Sequence, residues 1–189
     1  MKRDFSHTLL DWKASQRRKP ILLQGARQTG KTFLLKQFGQ TAYERLFYFN
    51  FEEEPGLKNI FQRDLRPERL LPLLSAARNG DIRPERDLIF FDEIQSCNEA
   101  LNSLKYFCEE APEYHVAGAG SLLGLLLSKP ASFPVGKVNI FHLHPMSFFE
   151  FLDAVNESRL RNLHRKNVIV SSEQIFPEHF LQHKQRPDT

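Results

Sequence analysis

Two short runs hold the residues best suited to chemistry. Gly25-Ala26-Arg27-Gln28-Thr29-Gly30-Lys31-Thr32 fits the pattern G-x-x-x-x-G-K-[ST], the P-loop or Walker A motif, at each fixed position. A loop of this kind wraps backbone N–H groups around phosphates and aims a helix N-terminus at them. Lys31 would reach the β- and γ-phosphates, and the Thr32 hydroxyl would face Mg²⁺. The second run, Asp92-Glu93, ends the apolar stretch Leu88-Ile89-Phe90-Phe91 about sixty residues downstream. An acid at the end of such a strand would hold Mg²⁺ together with Thr32, and the next acid would polarise an attacking water. An exposed acid pair after an ordinary strand is the plain alternative. The intact loop upstream favours the Walker B reading: Asp92 for the metal, Glu93 as general base.

The surrounding elements must place these two runs side by side. Strands are predicted at Pro20–Gln24, Arg45–Phe51, Asp87–Glu93, Tyr114–Ala119 and Lys137–Leu143. Arg45–Phe51 alternates, with Leu46, Tyr48 and Asn50 on one side and Phe47, Phe49 and Phe51 on the other. The unbroken apolar run at 88–91 suits a parallel strand covered on both faces. Helices are predicted at 5–18, where Leu9, Leu10 and Trp12 would dock, and at Lys31–Gly39, with Gly39 as a stop. Further helices are expected at Leu57–Arg63, Pro67–Arg78, Ser96–Glu110, from Leu122, and at Ser147–Ala154. In the last of these, Ser147 and Glu150 have the spacing of a capping box. The alternation implies an α/β fold, a three-layer P-loop domain with a parallel sheet. One extra strand is expected between the P-loop strand and the acidic strand.

Composition bounds the rest. The chain has 189 residues, 41% of them apolar, room for one domain with an appendage. The 17 phenylalanines sit largely in strand-like runs and read as core. A net charge of +3 argues weakly for nucleic acid. Cys97 and Cys108, both in predicted helix, lack metal-like spacing and suit a reduced, cytoplasmic protein. No apolar run reaches the length of a membrane span. Domain 1–155 is expected to be the ATPase unit, and 156–189 a basic tail.

The loop, Ile-Phe-Phe-Asp-Glu-Ile-Gln at 89–95, Ala-Gly-Ser-Leu-Leu-Gly at 119–124, Ser-Phe-Pro-Val-Gly-Lys-Val at 132–138 and His-Pro-Met-Ser-Phe-Phe-Glu-Phe-Leu at 144–152 occur in that order. Over about residues 3–155 the chain resembles the prokaryotic AAA-type ATPases of the AAA_14 type. The resemblance implies an AAA-type ATPase with Gly25 to Thr32 as nucleotide loop, Asp92 as the Mg²⁺-associated acid and Glu93 as base. It implies a polar sensor on the strand at 114–121; here Gly118-Ala119-Gly120-Ser121 leaves that role to Ser121. Many members carry Gly-Arg where this chain has Gly136-Lys137, so Lys137 is expected to stand near phosphate as a cation. Members normally continue into a C-terminal DUF4143-type domain related to restriction-nuclease folds. The chain reads as a truncated or frameshifted product or a short relative.

ATP is preferred to GTP because no N/T-K-x-D run follows at a later strand. The expected activity is Mg-dependent hydrolysis of the γ-phosphate. An arginine finger from a neighbour in a homo-oligomer would speed it. Two other readings stay open: a nucleotide-gated regulator that recruits protein or DNA with little turnover, and an inactive fragment. Arg27 and Gln28 could touch phosphate or a neighbouring subunit, against a plain outward-facing role. His142 and His144, two apart, read as structural rather than metal-binding for want of a third ligand. Tyr43, Tyr48 and Tyr106 read as core or half-buried. The basic runs Gln16–Lys19 and Arg159–Lys166 read as solvated, with a phosphate-tracking tail the alternative.

Overall fold

The computed structural model describes residues 3–121, 134 and 136–155. The expected helix from Leu122 and the basic tail beyond residue 155 lie outside these, as does most of the loop before Gly136. The chain divides into two units, Phe5–Pro145 and Met1–Asp4 with Met146–Thr189.

The larger unit is built on five strands, β1 (Ile21–Gly25), β2 (Arg45–Asn50), β3 (Asp87–Asp92), β4 (His115–Ser121) and β5 (Asn139–His142). Their order across the sheet is β2-β3-β4-β1-β5, and each paired neighbour is parallel. Thus β4 separates the P-loop strand β1 from the acidic strand β3, as expected. The helices are α1 (Ser6–Ala14), α2 (Lys31–Ala42), α3 (Pro67–Ala77) and α4 (Asn98–Glu110). A 3₁₀ segment at Pro55–Phe61 replaces the helix predicted there, and another at Ile94–Ser96 precedes α4.

Strand periodicity assigns the core. On β3, Ile89 and Phe91 join Phe47 and Phe49 of β2 and Phe51 just after it in a cluster covered by Leu70 and Leu74 of α3 and Leu101, Leu104 and Phe107 of α4. Leu88 and Phe90 face the other way, into a cluster with Leu34, Leu35 and Phe38 of α2 and Leu9 and Trp12 of α1. Residues two apart on a strand share a face, so one apolar run feeds both cores. The result is three layers, helices on each side of a parallel sheet.

Several predicted details move. Leu10 is half exposed and does not dock; Leu9 and Trp12 do. On a nine-residue helix only one stripe can face the sheet, and Leu10 lies off it. Gly39 does not stop α2, which runs on to Ala42. A Cβ there would lie 2.6 Å from Leu46 Cδ1, so this glycine lets the helix press onto β2. Cys97 precedes α4 rather than belonging to it; it is a buried free thiol whose pKa burial lifts to about 11. The basic run after α1 is partly structural: Arg18 donates to the carbonyls of Lys13 and Ser15.

In the smaller unit, α5 (Phe148–Ala154) carries the anticipated capping box. Ser147 N donates to Glu150 Oε2 at 2.9 Å, and Glu150 N donates to Ser147 Oγ at 3.2 Å. Glu150 also takes the Arg3 guanidinium at 2.9 Å. Burial pushes its carboxyl pKa up, but these donors outweigh that and hold it below the usual value.

Candidate functional site

In a parallel sheet the C-terminal strand ends share one edge, and the loops leaving that edge make the crevice where ligands bind. The loop after β1 begins α2 there. Gln28 and Gly30 both have positive φ, 63° and 87°. Gly30 adopts it without steric cost, and the loop can then turn its backbone into the helix. Ala26, Arg27 and Gln28 are exposed. Thr29 is buried, its hydroxyl donating to Ala26 O at 2.9 Å.

Lys31 is buried at the first turn of α2. Its ammonium donates to Gly25 O at 3.0 Å and Ala26 O at 2.7 Å, so the loop's own carbonyls hold it over the strand end. Burial pushes its pKa down, and the nearby Glu93 and Asp92 carboxylates pull it back up. Thr32, the next residue, donates to Asp92 Oδ1 at 3.2 Å. The two sequence runs, sixty residues apart, therefore meet.

Asp92 is 2% exposed at the end of β3. Its Oδ1 also accepts from Glu93 N at 3.1 Å, and its Oδ2 accepts from the Tyr48 hydroxyl at 2.9 Å. Burial raises its pKa; the hydroxyls of Thr32 and Tyr48 offset part of that. A hydroxyl beside a carboxylate oxygen is a hard-oxygen donor pair of the kind Mg²⁺ takes, so Thr32 and Asp92 fit that ion. Glu93 follows with φ 48°, in left-handed backbone that turns the chain off the strand.

A cavity of about 660 Å³ opens here, lined by Gly30, Lys31, Thr32 and Glu93 among others. Arg27 and Gln28 form part of its wall. Ser121 lines it too, at the end of β4 and in register with Gly25. Of the anticipated residues, Arg27, Gln28, Gly30, Lys31, Thr32, Glu93 and Ser121 line this crevice, and Asp92 lies behind it, bonded to Thr32.

Lys137 is not among them. It precedes β5, at the sheet edge opposite the P-loop, and pairs with Glu109 of α4 at 2.9 Å. The parallel register of β1 with β5, Ile21 against Asn139, carries it to that far end. His142 and His144 are exposed, and among the described residues no group of three or more metal-ligating side chains gathers.

Five residues of this region carried no functional expectation. Lys36, Phe33 and Glu52 line the cavity. Tyr48 is half-buried as expected, yet it reaches Asp92, and Lys36 Nζ lies 3.6 Å from its ring centroid. Asn50 Nδ2 donates to the Tyr48 oxygen at 3.1 Å, while Asn50 Oδ1 accepts from Glu52 N and Glu53 N. The signal available for Tyr48 was the β2 alternation, which sets it on the same side as Asn50.

The fold is shared with solved structures. The ORC1 protein of Aeropyrum pernix, solved in complex with DNA, superposes with a TM-score of 0.50 at 17% identity, over 84% of this chain and 47% of that one. AMPPCP-bound DnaA from Aquifex aeolicus gives 0.50 at 15% identity, over 95% and 54%. The chain thus spans about half the length of these structures. Comparison with curated proteins returned no match. Among the described residues no helix is long and apolar enough to cross a membrane. Residues 17–152 match the family model AAA_14, an AAA domain, which supports ATP binding and ATPase activity in general; the chain belongs to that family.

Proposed function

We propose that the chain binds ATP with Mg²⁺ and hydrolyses the γ-phosphate at the crevice beside Gly30. The observation that carries this reading is the 3.2 Å approach of the Thr32 hydroxyl to Asp92 Oδ1, on the wall of a cavity that Lys31 and Glu93 also line. The backbone N–H groups of 25–32 and the start of α2 would take the phosphate oxygens. Lys31 would exchange its two loop carbonyls for β- and γ-phosphate oxygens and take up charge as the bond breaks. Thr32 and Asp92 would hold Mg²⁺, which supplies positive charge against the triphosphate. Glu93 would orient water toward the γ-phosphorus and accept its proton, and Ser121 would fix that water's direction. Arg27 and Gln28 would meet the phosphates or a neighbouring subunit, and turnover would quicken if a second copy supplied an arginine. We take 1–155 as the ATPase region and 156–189 as its basic tail, working in the cytoplasm. The DNA bound by the ORC1 structure makes DNA a partner worth testing.

Glu93→Gln should keep ATP affinity within about twofold and lower turnover by ~10²–10⁴. Lys31→Ala should weaken ATP binding by at least about tenfold. Calorimetric titration and phosphate release read both. Tight ATP binding without any turnover in the parent chain would replace the hydrolase reading with a nucleotide-gated regulator. Unchanged binding in Lys31→Ala would remove the loop as the nucleotide site.

A further inference from the structure

We infer that Gln95 is a positioning residue that holds the Glu93 carboxylate for its work on water; this rests on the hydrolase reading above. Gln95 Nε2 donates to Glu93 Oε2 at 2.5 Å. The carboxylate has two oxygens, so this bond ties one and leaves Oε1 for another partner. Glu93 itself lines the phosphate cavity. The amide therefore sets which way the second oxygen turns.

The segment bearing both residues is anchored by burial and backbone hydrogen bonds. Ile94, between them, is fully buried and pins the 3₁₀ turn Ile94–Ser96 to the core. Ser96 N donates to Glu93 O at 2.9 Å, and Cys97 N to Ile94 O at 3.0 Å. Glu93 is held at φ 48°, a backbone conformation costly for a residue with a side chain. Strain of this kind persists only where surrounding structure over-determines it, and the anchored turn with its amide clamp does that.

Gln95 does not read as a stabilising residue. Its Oε1 is buried and has no hydrogen-bond partner among the described residues. Such an acceptor destabilises a fold. A side chain of the same length without polar atoms would remove that cost and the clamp together. Stability and catalysis are thus predicted to move in opposite directions, which a purely structural residue would not allow.

The chemistry served is attack of water on the γ-phosphorus. The O–P bond to the β-γ bridging oxygen breaks, ADP leaves with that electron pair, and the water's proton passes to Glu93. Gln95 touches neither substrate nor water; it acts through Glu93.

The test uses the full chain as wild type, Gln95→Met, Gln95→Glu, Glu93→Gln and the double variant Glu93→Gln/Gln95→Met. ATP hydrolysis, ATP affinity and thermal melting are measured on each. Gln95→Met should lower kcat about tenfold, a fraction of what a general base contributes. KM and Kd for ATP should stay within about twofold, and Tm should hold or rise. Gln95→Glu, which keeps the shape but sets a second carboxyl against Glu93, should lose at least a similar factor, and unchanged turnover there decides against the inference if the methionine variant misfolds. In the Glu93→Gln background Gln95→Met should change nothing further. Unchanged or faster turnover in both Gln95 variants overturns the inference, the second outcome marking a restraint instead. An equal loss with Glu93 already replaced overturns it as well. If Glu93→Gln turns over like wild type, the Glu93 assignment falls; if Glu93→Gln is dead while the Gln95 variants are intact, only the Gln95 inference falls. A wild-type chain that binds ATP and hydrolyses none overturns both.

Discussion

Strand β3 begins and ends with an aspartate, and the two ends could hardly differ more. Asp87 and Asp92 are buried to the same degree, 1% and 2% exposed. Asp87 is met by cations. Arg83 gives it a backbone N–H at 2.9 Å and guanidinium bonds at 3.1 and 3.2 Å, and Arg45 approaches to 3.5 Å. Burial pushes the Asp87 pKa up, but the Arg83 donors and the two positive charges overturn that and leave it below the ordinary value. Asp92 receives two hydroxyls and one N–H, while the Lys31 ammonium donates to loop carbonyls. Burial wins there, and the pKa rises. A buried carboxylate saturated by arginines is finished structure. One supplied with neutral donors, one of them the Thr32 hydroxyl of a cavity wall, is short of positive charge, and the proposed function has Mg²⁺ provide it.

The comparison breaks most sharply at Asp92. Asp92→Asn keeps the shape and removes a poorly compensated charge. Hydrolysis should fall by at least about 10²-fold, the scale of losing a main electrostatic contact in a transition state. Thermal stability should hold or rise, as measured by a melt without nucleotide. Wild-type hydrolysis in Asp92→Asn would remove this aspartate from the chemistry.

At Asp87 the outcome should be reversed. Asp87→Asn leaves Arg83 and Arg45 facing a neutral amide and should cost on the order of 2–3 kcal/mol in denaturant unfolding, with ATP affinity of the folded fraction intact. The pH response follows from the sign of each shift. A depressed pKa means the Asp87 contribution is fully present above the unfolded value, about 3.9, and is lost as pH falls through the lower folded value. Wild type should therefore lose stability below about pH 4 more steeply than Asp87→Asn. Asp92 acts oppositely: its raised pKa favours the fold at low pH and opposes it as pH rises through the folded value. Equal acid slopes in wild type and Asp87→Asn would contradict the assignment.

The smallest effect belongs to Tyr48→Phe, which deletes one hydroxyl from Asp92 Oδ2. The loss should be about 1 kcal/mol of stability. Hydrolysis should change by severalfold at most, because the Thr32 side of Asp92 is untouched. A collapse of turnover would place Tyr48 nearer the chemistry than its contacts suggest.

Much of this was legible in the chain. The P-loop needs consecutive residues, so its pattern is visible in one window. The β3 run Leu88-Ile89-Phe90-Phe91 announces a strand sunk between two layers, and the capping box Ser147/Glu150 spans one helical turn. What escaped depends on register. Tyr48 meets Asp92 because β2 pairs with β3, Tyr48 beside Phe90 and Asn50 beside Asp92. Lys137, expected near phosphate, is carried to the other edge by the direction of β5. Gly39 looked like a helix stop because its close neighbour, Leu46, belongs to the next strand.

The amino-acid order by itself determined which segments become strand, loop and helix, and that one loop is shaped for phosphate, because hydrophobic period, glycine freedom and caps act over a few neighbours. Tertiary structure decided which groups those segments bring together: Thr32 with Asp92, Tyr48 with Asp92, Lys137 with Glu109. Strand order and register set those encounters, and both arise from burying two apolar faces at once, a property of the assembled sheet rather than of any stretch within it.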